Sequence, residues 1–258
     1  MRLGQNFLAD PNLLDAIVRD AGVQADDCVL EVGVGEGVLT ERLAEVASQV
    51  HVIELDRGLE PVIWKILELG NVNVIWADAV RYDLSLLQPA PTAMVANLPY
   101  AVATPVIMRS IFDLPTIMSW SVMVQKEIAD RLRAAPGSKV YGGPSVLAQM
   151  AGEVKLVRKV SRNVFRPQPR VDSAIISIER RGPGPDAKAR RVVRAAFSHR
   201  RKALPRSMDM SIPGTIEAAR NCLEELGIDP GIRAEAVSPE QFRALSAMID
   251  LPSGDQPG

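Results

Sequence analysis

The stretch that most constrains this chain runs from Cys28 to about Val46. Cys28-Val29-Leu30-Glu31-Val32 is a short, mainly apolar strand pattern that feeds directly into Gly33-Val34-Gly35-Glu36-Gly37. A helical pattern follows over residues 38–46. Strand, glycine turn and helix in that order open the nucleotide-binding half of a doubly wound α/β sheet, because glycines let a ligand approach the backbone closely. The spacing narrows the ligand. The dinucleotide fingerprint GxGxxG needs glycine at position 38, where this chain has Val38. Glu31 before the turn and Glu36 within it would also repel a pyrophosphate. The turn is therefore expected to hold a nucleoside without phosphates. An NAD-dependent oxidoreductase is disfavoured by Val38 and by the lack of a catalytic His or Tyr/Lys pair.

The rest of the chain extends that opening. Asp10 and Pro11 read as an N-cap and a proline at the first helical position, with the helix ending before Gly22. A second strand over 50–53 ends at Glu54, where an acid of such a fold binds ribose hydroxyls. Asp56 is expected to cap a helix over 57–69. A third strand over 72–76 leads to Asp78, placed either to accept from an adenine amino group or to cap the next turn. The fourth strand, 93–96, delivers Asn97-Leu98-Pro99-Tyr100. A carboxamide oxygen accepts from an exocyclic amine, Pro99 fixes its own φ and removes a donor, and Tyr100 offers a flat face to a planar ring. That is a seat for an aromatic amine, such as the amino group of a nucleobase.

Further on, helices are expected over 104–112 and 125–135, a buried strand over 117–124, and a helix after Tyr141-Gly142-Gly143. A basic-faced strand over 154–160, a proline-stiffened loop over 163–170 and a final alternating strand over 171–179 complete the sheet. Gly182-Pro183-Gly184-Pro185 is the clearest boundary in the chain. It divides residues 1–181 from a small helical domain over 188–251, with 182–187 as linker and 252–258 as a tail expected to lack fixed structure. Three helices are expected after the linker, over 187–203, 214–226 and 238–249.

Charge is distributed unevenly. The formal net charge is −1, yet residues 155–206 hold 16 Lys and Arg against 3 Asp and Glu, a net +13, between two acidic segments. Such a band is a footprint for a polyanion, here nucleic acid. Arg166 and Arg170 in the loop and Arg200, Arg201 and Lys202 near the end of the first C-terminal helix are the candidate contacts. The two cysteines, Cys28 and Cys222, and the two histidines lie in no metal-ligand spacing, so no metal is expected. Neither a signal-peptide pattern nor an apolar run of the roughly 18–20 residues needed to span a membrane is present. A soluble, cytoplasmic protein is expected, with no membrane partner.

With these residues in view, the chain resembles the small-subunit ribosomal RNA adenine dimethyltransferases. The resemblance is collinear and covers nearly the whole chain: LGQNFL (3–8), EVGVGEGVLT (31–40), IELD (53–56), ADA (77–79), NLPY (97–100), VQKEIADRL (124–132), YGGPSVLAQ (141–149), FRPQPRVDSAI (165–175) and AFSHRRKAL (196–204). It implies a Rossmann-like class I methyltransferase fold, α/β, with a mostly parallel seven-stranded sheet whose last strand is antiparallel, and a small C-terminal helical domain. It implies S-adenosyl-L-methionine as methyl donor, held by Asn6, Leu8, Gly33, Gly35, Glu54, Asp78 and Asn97. The target amine would meet Asn97, Leu98 and Tyr100, with Phe165 as a second aromatic beside the base. The implied substrate is 16S rRNA in the small (30S) ribosomal subunit, where two adjacent adenosines near the 3′ end are dimethylated at N6. The enzyme is expected as a monomer that also serves late subunit assembly. Val34 and Ala101 stand where the family usually has proline and asparagine. Two other readings share the scaffold: a 23S rRNA adenine dimethyltransferase of the erythromycin-resistance type, and an assembly factor whose role is chiefly non-catalytic.

Overall fold

The computed structural model describes residues 7–8 and 10–252. The expected contact at Asn6 and most of the expected tail lie outside them. By internal contacts the chain forms two compact units. One comprises the described residues up to Asp130 together with Gly152–Pro183; the other comprises Arg131–Ala151 together with the described residues from Gly184 onward. Residues 131–151, which the sequence reading kept with the sheet, thus pack with the C-terminal helices.

In the first unit the elements follow in the order β1 (Phe7–Leu8), α1 (Pro11–Ala21), β2 (Cys28–Val32), α2 (Val38–Val46), β3 (Gln49–Glu54), α3 (Glu60–Leu67), β4 (Val72–Trp76), β5 (Ala93–Asn97), α4 (Ala103–Asp113) and β6 (Ser119–Gln125). After α5 (Lys126–Leu132) and α6 (Gly143–Ala151) come β7 (Gly152–Val160), β8 (Phe165–Arg166) and β9 (Ser173–Arg180). Seven strands form one sheet in the order β4-β3-β2-β5-β6-β9-β7. β2 pairs in parallel with β3 and β5, and β5 in parallel with β6; β9 is antiparallel to both β6 and β7. All five residues of β2 are buried, which is why it reads as a nearly unbroken apolar run rather than as an alternation. The reversed strand is β9, as expected.

Local chemistry explains the boundaries. Asp10 Oδ1 accepts from the backbone N–H of Asn12 and Leu13, a cap that contributes about 1 kcal/mol. Gly22 ends α1 in the left-handed conformation at φ 66°. The helix expected over 57–69 is broken: Asp56 caps a single tight turn, Arg57–Leu59, and α3 begins only at Glu60, ahead of Pro61. β1 and β8 form a separate two-stranded ribbon in which Leu8 opposes Phe165.

In the second unit α6 is joined by α7 (Ala187–Phe197), α8 (Leu204–Ser211), α9 (Ile216–Glu225) and α10 (Pro239–Met248). The helix expected over 187–203 stops at Phe197, and α8 was not foreseen. Pro205 occupies the opening turn of α8, where its missing N–H costs nothing. Tyr141 is fully buried, donates its hydroxyl to the Val237 carbonyl at 2.9 Å, and meets Phe197 edge to face at 6.1 Å. Phe197 stacks on Phe242 at 5.8 Å. These rings anchor a helical core distinct from that of the sheet. Among the described residues no helix is long and apolar enough to cross a membrane.

Candidate active site

A pocket opens at the carboxyl ends of β2, β3, β4 and β5, where the strand order reverses direction between β2 and β5. That crevice is where doubly wound folds hold ligands. Its floor is the glycine turn. Gly33 sits at φ 85° and a Cβ there would lie 3.4 Å from the Pro99 ring; Gly35 sits at φ 56° with the Phe7 ring 3.3 Å from where its Cβ would be. Side chains at either position would be strained and would fill the cradle.

Two carboxylates are buried in its wall. Glu54, 6 % exposed, accepts from the Val34 N–H at Oε2 (2.9 Å) and from the Asp56 N–H at Oε1 (2.6 Å). A proline at position 34 would have no N–H to give. Glu31, 1 % exposed, accepts from the Thr40 hydroxyl at 2.7 Å. Burial pushes its pKa up to about 8, the Thr40 bond opposes that rise, and the nearby Glu54 carboxylate adds to it. Asp78 lines the pocket as well and at the same time caps its own turn, accepting from the Val80 N–H at 2.8 Å. With Glu36 these make four acids around one cavity. Glu31 holds its proton below about pH 8, so the remaining acids set a field that suits cationic and hydroxyl-bearing ligands and opposes phosphates.

The opposite wall is the turn after β5. Asn97, Leu98, Pro99 and Tyr100 all line the pocket. The Leu98 N–H donates to the Met123 carbonyl at 3.0 Å, and Val102 N–H closes the turn on the Pro99 carbonyl at 3.1 Å. The Asn97 carboxamide and the Leu98 carbonyl have no hydrogen-bond partner among the described residues. The Tyr100 hydroxyl lies 2.8 Å from Ser173 Oγ. Burial raises the Tyr100 pKa, so its phenol stays neutral at physiological pH.

Leu8, Gly33, Gly35, Glu54, Asp78, Asn97, Leu98 and Tyr100 are therefore brought to one cavity. Phe165 is not. It is 2 % exposed, sits opposite Leu8 in the β1/β8 ribbon, and belongs to the core rather than to the pocket lining. Its ring offers no open face in this arrangement because the ribbon turns it inward. Two residues were missed as site residues. Glu31 was weighed only as a repeller of pyrophosphate; an acid inside an apolar strand was the signal. Ser173 carried no signal, since its partner Tyr100 is 73 residues away.

The candidate nucleic-acid contacts differ among themselves. Arg166 and Arg170 are exposed. In the helical unit Arg200 is tied down, donating to the Tyr141 carbonyl at 3.0 Å and lying 3.4 Å from Glu235. Arg201 and Lys202 are exposed with no ion-pair partner among the described residues.

A family model described as ribosomal RNA adenine dimethylase matches residues 1–251. The chain belongs to the ribosomal RNA adenine dimethylase family. It is thus an enzyme, and the family implies a methyl donor of the S-adenosylmethionine type, for which the acid-lined, glycine-floored pocket is suited. A relative from Rubrobacter xylanophilus, the ribosomal RNA small subunit methyltransferase A, is 42 % identical over 252 residues, covering 96 % of this chain and 94 % of that one. Two solved structures are similar over most of the chain. A dimethyladenosine transferase from Plasmodium falciparum has a TM-score of 0.78 at 26 % identity, covering 93 % of this chain and 95 % of the other. The 23S rRNA methyltransferase ErmE has a TM-score of 0.70 at 28 % identity, covering 95 % and 99 %. The sheet and helical unit are those of a Rossmann-like class I methyltransferase.

Proposed function

We propose that this dimethylase transfers methyl groups from S-adenosyl-L-methionine to N6 of two adjacent adenosines near the 3′ end of 16S rRNA in the small ribosomal subunit, working as a cytoplasmic monomer. The observation that carries the proposal is the Asn97 carboxamide, without a hydrogen-bond partner among the described residues, lining the same cavity as the glycine turn and Glu54. The name of the Rubrobacter relative supports the choice of subunit.

Each residue has a task. Glu54 receives ribose hydroxyls, Asp78 the adenine amino group, and Gly33 and Gly35 let the ligand lie against bare backbone; Leu8 closes the pocket from the β1 side. When bound, S-adenosyl-L-methionine supplies an electrophilic methyl group on a positively charged sulfur. The acceptor's N6 lone pair is conjugated with its ring, so it must be turned out of the ring plane. The Asn97 side-chain oxygen and the Leu98 carbonyl accept N6–H bonds, which favours that geometry and stabilises the developing positive charge. Tyr100 stacks on the base, an interaction worth about 1–3 kcal/mol. Positioning does the work, and no general base is assigned. Arg166, Arg170, Arg201 and Lys202 meet the RNA backbone, while Arg200 chiefly holds its own unit together.

The deciding experiment is methyl transfer to purified, unmodified 30S and 50S subunits, with the modified nucleosides mapped. Dimethyladenosine at adjacent positions in 16S rRNA is expected; modification confined to 23S rRNA would overturn the assignment. For the RNA surface, the Arg201→Ala/Lys202→Ala pair should lower the salt slope of subunit binding by roughly 2. Arg200→Ala should instead lower the melting temperature with a smaller change in that slope.

A further inference from the structure

Tyr100 is fastened at its far end. Its phenol oxygen lies 2.8 Å from the hydroxyl of Ser173, and Ser173 is 1 % exposed at the first position of β9. β9 is flanked on both sides there, with Gln125 of β6 opposite Ser173 on one side and Val160 of β7 on the other. The Ser173 backbone cannot shift without disturbing two antiparallel ladders. The same turn has a second anchor through its backbone, the Leu98 N–H on the Met123 carbonyl. Met123 lies opposite Ile175, two residues along β9 from Ser173. The segment from Leu98 to Tyr100 therefore bridges two points of one rigid strand pair. A tyrosine held at its hydroxyl, in a turn anchored two residues earlier at Leu98, has little freedom left about χ1 or χ2, so its ring plane is set before any ligand arrives.

We infer that Ser173 is a positioning residue for methyl transfer: its hydroxyl pins the Tyr100 phenol and so sets the plane on which the acceptor base lies. The inference rests on the reading of Tyr100 as the stacking residue. The phenol stays protonated across the working range, because burial and the neighbouring Asp172 carboxylate both hold its pKa up against the Ser173 bond. The pin is thus present whenever the enzyme is active. Dimethylation uses the plane twice, the second time with a methyl group already on N6. A ring free to tilt lowers the share of acceptors that are correctly presented for the second transfer, so loss of the pin shows in the product as well as in the rate.

The test uses full-length Tyr100→Ala, Tyr100→Phe, Ser173→Ala and the Tyr100→Phe/Ser173→Ala double variant. Each is assayed on unmodified small subunits at saturating S-adenosyl-L-methionine, with monomethyl- and dimethyladenosine separated. Tyr100→Phe and Ser173→Ala are each expected to slow turnover about tenfold, since small misplacements of reacting groups act on kcat. Both should raise the ratio of monomethyl to dimethyl product and leave cofactor affinity, measured by calorimetry, unchanged. The double variant should be no slower than either single one. Should Ser173→Ala fold poorly, Tyr100→Phe decides alone, since it leaves β9 untouched. Wild-type turnover and product ratio in Tyr100→Phe, with Tyr100→Ala impaired, would overturn the role of Ser173 while sparing the stacking role of Tyr100. Wild-type turnover in Tyr100→Ala would overturn both.

Discussion

β2 and β5 are neighbours in the sheet and each ends in a turn that lines the pocket, yet the two turns are held by opposite means. The turn after β2 ties its first backbone donors into the fold. Gly33 N–H donates to the Ile53 carbonyl, Val34 N–H to Glu54, and Glu31 lies buried beneath with Thr40 as its donor. What it presents is bare backbone and carboxylate oxygens that still have lone pairs to offer. The turn after β5 contains no glycine, is anchored on β6 and β9, and leaves the Asn97 carboxamide unengaged among the described residues. The difference separates affinity from rate. Under the proposed function, a preformed cradle would bind the donor, and an unengaged amide on a rigid mount would be available for interactions made at the moment of transfer.

That division can be broken most directly at Asn97. Asn97→Ala is expected to lower kcat by about 100-fold or more, the scale seen when one preorganised polar contact to developing charge is removed. Cofactor affinity should fall much less. Glu54→Ala should do the reverse, weakening cofactor binding by about 10- to 100-fold through loss of charge-assisted hydrogen bonds, as read by calorimetry. It also leaves the Val34 and Asp56 N–H groups without their acceptor. If Glu54→Ala slowed turnover at saturating cofactor as strongly as Asn97→Ala, the two turns would not divide the work.

The smallest effect is expected at Glu31, where pH sharpens the comparison. Burial raises its pKa from the ordinary 4.5 to about 8. The folded state therefore holds a proton that the unfolded state has released across that window. The stabilisation that Glu31 contributes is fully present below about pH 4.5 and is lost as pH rises toward 8, with a slope of at most about 1.4 kcal/mol per pH unit for one proton. Glu31→Gln, which cannot ionise, should flatten this part of the stability profile in thermal melts at fixed ionic strength. Because a cationic cofactor favours the ionised carboxylate, affinity in the native enzyme should rise with pH up to about 8, and that trend should also flatten in the variant. A pH-independent affinity in the native enzyme would mean that Glu31 does not sense the ligand's charge.

Much of this architecture was legible because short-range rules set it. The strand over 28–32, the helix over 38–46 and the cap at Asp10 come from apolar runs, glycine placement and local hydrogen bonds. Where the reading failed, long-range packing had overridden the local rule. The helix expected over 187–203 stops at Phe197, because the core around Leu204 and Met208 recruits a further helix. Phe165 looked like an open aromatic face, but pairing with the amino-terminal strand turns it inward.

The sequence by itself determined the sheet order's opening, the departure from the dinucleotide fingerprint at Val38 and the chemistry available at Asn97. It could do so because each depends on residue types and spacings within a few positions. Tertiary structure decided which charges are spare and which are committed, such as Arg201 and Lys202 against Arg200. It also decided that residues 131–151 pack with the helices, and that the Tyr100 ring is fixed by a serine 73 residues away. Those outcomes depend on which distant surfaces meet, and no local pattern encodes such a meeting.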